Sequence, residues 1–254
     1  MSLTIAQLEE QVRQNPLDAK AWVDLGLQIA EEEQNMEKSL STLTKGLCYQ
    51  PFDPELRLQR GRKFNSINRF ARAVSDLTLA CRLKPEEWQN WYYLSVSYNL
   101  WGKYEESAAG FEECAKHIKE KQGLYPIVDW LFNTYTTLGW KEKAQKALDL
   151  IDTSIPCVPL DYSYRKRVML SKGEIDPEKF IDLDEIERTC IKAKDRPKLE
   201  LVSQLYGLAN YYHYIGNMEK YDETLLKLLE QPLFHNAFGY IKGVQEAKAR
   251  GLIH

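Results

Sequence analysis

Five cysteines, four histidines, several paired glutamates and a run of arginines are the residues here whose types could carry chemistry. Cys48, Cys81 and Cys114 stand 33 positions apart, and Cys157 and Cys190 complete an odd set with no close pair. A zinc site or a disulfide framework needs clustered ligands. The spacing therefore predicts free thiols in a reducing cytosol, the first three filling the same small apolar place in successive helices. His117, His213, His235 and His254 are scattered, and none is expected to stand at helical spacing from another ligand. Glu9–Glu10, Glu86–Glu87, Glu105–Glu106 and Glu112–Glu113 are neighbours in sequence. Adjacent helical positions point about 100° apart and make no acid–base pair, so these read as solvated outer faces. Phosphate-cradling glycine loops, the G-x-S-x-G elbow and the H-E-x-x-H metal motif do not occur in the sequence. No enzymatic activity, metal or cofactor is expected.

One charge feature stands out. Arg57, Arg60, Arg62, Lys63, Arg69 and Arg72 fall within 16 residues that contain no acid. Six cations in one hairpin could hold an acidic peptide tail or a phosphate. The competing account lays their stems on the core and pairs them with acids nearby, such as Glu31 to Glu33, Asp53 or Glu55. The whole chain does not share this bias: 34 Lys and Arg face 37 Asp and Glu, for a net charge of −3. That balance argues against a general nucleic-acid binder, which carries a basic footprint. No apolar run approaches the roughly 18 residues that span a bilayer, and no basic start precedes an apolar leader segment. Insertion into a membrane is not expected, and the cytosol is the expected location.

The elements that would position these residues repeat. Pro51 and Pro85 are 34 residues apart, a further 34 reaches Lys119, and Pro156, Pro197 and Pro232 follow at steps of 37, 41 and 35. A period near 34 suits two helices of about 12 residues. Aligned on it, Trp22, Leu25, Gly26, Ile29, Ser39, Leu43, Gly46 and Pro51 form one unit, with one extra residue between its helices. Gly61, Phe64, Phe70, Ala73, Leu77, Ala80 and Pro85 form the next, followed by Trp91, Leu94, Ser95, Tyr98, Gly102, Tyr104, Ser107, Phe111 and Cys114. Leu131, Tyr135, Gly139, Ala144, Leu148, Ile151 and Pro156 repeat the scheme, as do Leu205, Leu208, Ala209, Tyr212, Gly216, Leu225 and Leu228. The small residue in each first helix (Gly26, Gly61, Ser95, Ala209) and its counterpart in the return helix (Ser39, Ala73, Ser107, Ala144) mark a close helix–helix approach. A lone hairpin cannot bury its apolar stripe, so neighbouring units must stack.

The pattern resembles the tetratricopeptide repeat family, whose unit runs W-x2-L-G-x2-Y, then A-x3-F-x2-A, then P. It covers residues 17–156 and 198–232. Arg57 and Arg60 depart from it, standing where the repeat places Trp and Leu. The resemblance implies an all-α fold: a right-handed superhelix, or α-solenoid, of stacked antiparallel hairpins forming a single domain over 1–254. Within it, 1–16 is an N-terminal helix with Thr4 and Gln7 as a capping box. Residues 17–156 form four units, 157–197 a degenerate unit with an irregularity at Gly173 to Pro177, and 198–232 a further unit. Residues 233–254 form a cap helix stopped by Gly251.

In such arrays the first helices line a concave groove. The resemblance puts Arg62, Asn65, Gln89, Tyr92, Asn99, Asp129, Asn133, Thr136, Tyr206, Asn210 and His213 there. Amides can bond a peptide backbone and rings can bury a side chain, with Tyr92 and Tyr206 as the expected anchors. The family's carboxylate clamp for chaperone tails is missing, since Val23, Leu27, Arg62, Tyr92 and Val96 occupy its places. The expected function is an interaction scaffold holding a peptide or protein partner. The alternatives are a helper or regulatory subunit of a catalytic complex and, disfavoured by charge, an RNA-binding helical repeat.

Overall fold

The computed structural model describes residues 3–189, 196–231 and 236–254. Among them the regular elements are helical throughout, with no strand. They form two compact units, residues 1–117 and 118–254.

The first unit opens with α1 (Ile5–Gln14), where the Thr4–Gln7 capping box is formed. Three hairpins follow: α2 (Ala19–Glu32) with α3 (Met36–Tyr49), α4 (Pro54–Ser66) with α5 (Phe70–Leu83), and α6 (Trp88–Leu100) with α7 (Tyr104–His117). The starts are set by side-chain caps. Asp18, Asn35 and Asp53 each accept a backbone N–H from the first turn they precede, and Pro54 supplies a preset φ where no N–H is needed. The turn inside each hairpin needs a left-handed residue, and Gly102 (φ 78°) provides it after α6. Asn68 (φ 59°) and Gln34 (φ 50°) do the same for the preceding hairpins.

The close approach lies where the small residues predicted it. A Cβ on Gly26 would stand 2.8 Å from Leu43 Cγ, and one on Gly61 2.7 Å from Leu77 Cγ. Ser39 Oγ donates to the Gly26 carbonyl at 2.6 Å, and Ser107 Oγ to the Ser95 carbonyl at 2.9 Å. Each hairpin shares its core with the next. Leu8, Trp22, Ile29, Leu43 and Leu56 pack together, and Leu40, Leu58, Phe64, Leu77 and Leu94 continue the packing.

Successive hairpins are also tied at their junctions. Trp22 Nε1 donates to the Pro16 carbonyl at 2.9 Å, and Trp91 Nε1 to that of Pro85 at 2.8 Å. Arg57 occupies the same place in the middle hairpin and donates Nη2 to the Pro51 carbonyl at 2.9 Å. The departure from tryptophan keeps the hydrogen bond that the ring would have made.

In the second unit α8 (Tyr125–Thr137) pairs with α9 (Lys141–Leu148), α10 (Tyr162–Ser171) packs on α8 with no hairpin partner of its own among the described residues, and α11 (Leu183–Thr189) is short. Then α12 (Arg196–Tyr214) pairs with α13 (Met218–Leu229), and α14 (Phe238–Ala249) packs against both. Gly139 and Gly216 make the hairpin turns, and Gly251 follows α14 with φ 71°. The return helix expected over residues 184–194 begins at Leu183; residues 190–195 lie outside the described residues, as does Pro232. Pro197, expected after a helix, lies instead in the first turn of α12, where its missing N–H costs nothing.

Candidate peptide-binding faces

In the first unit α2, α4 and α6 lie side by side, so their facing edges decide what this surface offers. Asn65 on α4 is fully buried and donates Nδ2 to Ser97 Oγ on α6 at 2.8 Å. One turn earlier, the Arg62 guanidinium lies 4.4 Å over the Tyr93 ring. Tyr92, expected to anchor a ligand, is only 6% exposed and packs edge-on against Trp88, Tyr93 and Phe111. The 100° step between neighbouring helical positions is the reason: Tyr92 turns to α7, and Tyr93 takes the edge facing α4. Asn99 is buried just before the Gly102 turn, and Gln89 is half-buried with no hydrogen-bond partner for Oε1 among the described residues.

In the second unit α10 packs against both α8 and α12. Three expected residues, Asp129, Asn133 and Tyr206, gather there around one that sequence reasoning missed, Arg167. Its Nη2 lies 2.7 Å from Asp129 Oδ2, both side chains being at least 96% buried. Asn133 donates to the same carboxylate at 3.3 Å. The guanidinium lies 5.2 Å from the Tyr164 ring centre and 5.4 Å from that of Tyr206. Gly207 leaves the room it needs, since a Cβ there would stand 2.3 Å from Arg167 Cγ. Burial pushes the Asp129 carboxyl up to about 6, against the pull of Arg167 and Asn133.

Tyr206 is 2% exposed and donates its hydroxyl to Glu246 at 3.2 Å, so in this structure it is a packing residue and presents no surface. Asn210, one turn on, is buried and its Nδ2 has no partner among the described residues. Thr136 donates back to the Phe132 carbonyl, and His213 stacks on Tyr221 at 5.1 Å.

Of the eleven residues expected on the groove, Arg62, Gln89, Thr136 and His213 keep surface and the other seven are buried. The physical reason is the close packing of neighbouring helices over them, across which Asn65 reaches Ser97 and Asp129 reaches Arg167. An Arg inside "DYSYRKRVML" carried no groove signal because that segment departs from the repeat.

The six cations of the arginine run separate by helix face. Arg57 Nη1 meets Asp76 Oδ1 at 2.7 Å, and Arg60 holds both Asp76 oxygens at 2.7 and 2.8 Å. The neutralising acid is therefore on the return helix, not among Glu31 to Glu33, Asp53 or Glu55. Arg69 reaches Glu37 at 3.5 Å, and Arg72 lies over Phe64. Arg62 and Lys63 form no ion pair with any described residue.

Two thiol and histidine expectations need correction. Cys81 and Cys114 are buried, their thiols pushed up by burial, Cys81 to about 12. Cys48 is exposed. Gly46 and Leu47 stand one period of 34 before Ala80 and Cys81, which leaves Cys48 one step past the apolar edge. His117 does have a neighbour at helical spacing, Glu113, at 3.2 Å on the surface of α7. Among the described residues no three His, Cys, Asp or Glu side chains gather as metal ligands, and no helix is long and apolar enough to cross a membrane.

No protein-family model matches the sequence, and no curated protein matches it either. Solved structures do. A crystal structure of MamA aligns over 67% of this chain and 90% of that one, with a TM-score of 0.51 and 15% identity. A MamA RS-1 double mutant gives 67%, 86%, 0.51 and 13% for the same quantities. MamA 41-end from Desulfovibrio magneticus RS-1 gives 57%, 80%, 0.50 and 14%. MamA is a tetratricopeptide-like helical repeat protein, and at these identities the likeness is one of fold. The chain has an all-α fold of that helical-repeat, solenoid class.

Proposed function

We propose that this chain is a tetratricopeptide-type interaction scaffold, working in the cytosol, that holds a protein or peptide partner on the surfaces made by its first helices. It catalyses no reaction of its own in this reading. The observation that carries it is the polar character of those surfaces. The first helices, which pack through apolar stripes elsewhere, leave Arg62, Gln89 and Tyr93 partly exposed in the first unit and Thr136 and His213 in the second. A rigid face of this kind binds without the cost of folding around its partner. The slightly acidic chain favours protein over nucleic acid.

The test takes a partner recovered from the native host and measures its affinity by fluorescence anisotropy. Arg62→Ala with Gln89→Ala, and separately Thr136→Ala with His213→Ala, should weaken binding, at least one pair by about 5- to 150-fold. Glu105→Ala with Glu106→Ala, exposed on the return helix α7, should not. Loss confined to the α7 pair would refute the first-helix surfaces as the binding site.

A further inference from the structure

Resting on the reading of the first-helix surface as the working one, the division of cations on α4 narrows what that surface accepts. Arg57 and Arg60 turn toward the return helices and are neutralised on Asp76. Arg62 turns to α6, where it lies over Tyr93, and neither it nor Lys63 forms an ion pair with a described residue. Arg62 is nonetheless held in place. Its face rests on Tyr93, and Nη1 donates to Gln59 Oε1 at 2.9 Å, while Gln59 donates in turn to Glu55 at 2.6 Å.

Lys63 beside it is half-buried, and its ammonium is shifted down chiefly by that burial and then by Arg62. Glu31 on α2 acts weakly in the other direction. A desolvated ammonium next to a fixed guanidinium, without a counter-ion, is an arrangement that an incoming carboxylate relieves. Behind them Asn65 is fully buried, and its Oδ1 has no partner among the described residues, although Nδ2 is engaged with Ser97.

We propose that Arg62, Lys63 and Tyr93 form the receptor for one acidic side chain within an extended peptide. Its carboxylate sits between the two cations, and its aliphatic stem lies against the tyrosine ring. Glu31 sets the polarity, because it repels a second carboxylate on the α2 side. Neighbouring helices are about 8–10 Å apart and an extended chain advances about 3.3 Å per residue. The residue about three positions away on that side is therefore neutral or basic. The ligand carries an isolated acid, not an acidic run and not a chain end.

Selection of random 12-residue peptides with amidated ends on the full chain tests this. The expected result is an Asp or Glu at one fixed position among the enriched sequences, with no acid about three residues to one side. In a synthetic copy, changing that residue to its amide should weaken binding about 10-fold or more, a comparison that needs no altered protein. Arg62→Gln should cost a similar factor, and the two changes together little more than either alone. Arg69→Gln should leave affinity unchanged. Peptides that bind the first-helix surface yet show no fixed acid, or ignore the amide change, overturn this proposal and leave the scaffold reading intact. So does preference for an acidic run, or binding that appears only with a free terminal carboxylate. No enriched peptide at all removes both.

Discussion

Asp76 serves two arginines at once, and what it holds together can be measured. Its carboxylate is 3% exposed and is the only described acid within ion-pair distance of Arg57 and Arg60. Asp76→Ala leaves two partly buried cations facing each other, which should cost roughly 3–5 kcal/mol in chemical denaturation. Asp129 behaves differently, because its single arginine does not outweigh burial. Its carboxyl titrates at about 6 in the folded chain against about 3.9 in the unfolded one, so the native state binds this proton more tightly. Its contribution to stability therefore grows as pH falls from about 6 to about 4, by about 3 kcal/mol at most, and is constant above 6. Carboxyl-carbon NMR should place the midpoint near 6, and Asp129→Asn should lose that slope. A midpoint near 3 would mean that Arg167 dominates. Thiol labelling gives a third check at this scale. Cys48 should react with maleimide in the native chain, while Cys81 and Cys114 should wait for unfolding.

The hairpin turns carry the element-scale prediction. Gly102 has φ 78° with nothing within 4 Å of where a Cβ would lie, so its constraint is conformational alone. Gly102→Ala should cost about 1–2 kcal/mol, read from the urea midpoint at unchanged slope. The turn glycines and small–small contacts were legible from the sequence because each is a local rule repeated with the hairpins, as at Gly26, Gly61 and Gly139, and the Thr4 cap was legible from its own spacing to Gln7. The surface residues were harder to read. Periodicity gives the helix edge on which a residue lies, but not whether the neighbouring helix has already covered it. That is why Asn65 proved to be a brace to α6 and Asn133 a support for Asp129 within α8, and why Tyr93, not Tyr92, takes the edge facing α4. Arg167 was illegible for another reason: its helix lies in the stretch where the period breaks.

At the scale of the molecule, each compact unit has its own packed interior. Residues 1–117 hold three full hairpins closed at the front by α1, and three repeats are about the least that stack stably. A fragment of residues 1–117 should therefore keep a helical circular-dichroism spectrum and unfold cooperatively. A spectrum typical of an unfolded chain would show that the first unit depends on the second.

The bonds from Trp22, Arg57 and Trp91 back to Pro16, Pro51 and Pro85 each close a ring of fixed length, since donor and acceptor stand six residues apart every time. Such a clasp cannot accept an inserted residue without opening. Variation in repeat length must therefore be taken up inside the hairpins. The first hairpin does this: α2 has 14 residues where α4 and α6 have 13, while the links to the three return helices are equal in length. For anyone lengthening, grafting or shuffling these repeats, the far ends of the first helices are the ports, and the proline junctions are the gauge to leave untouched.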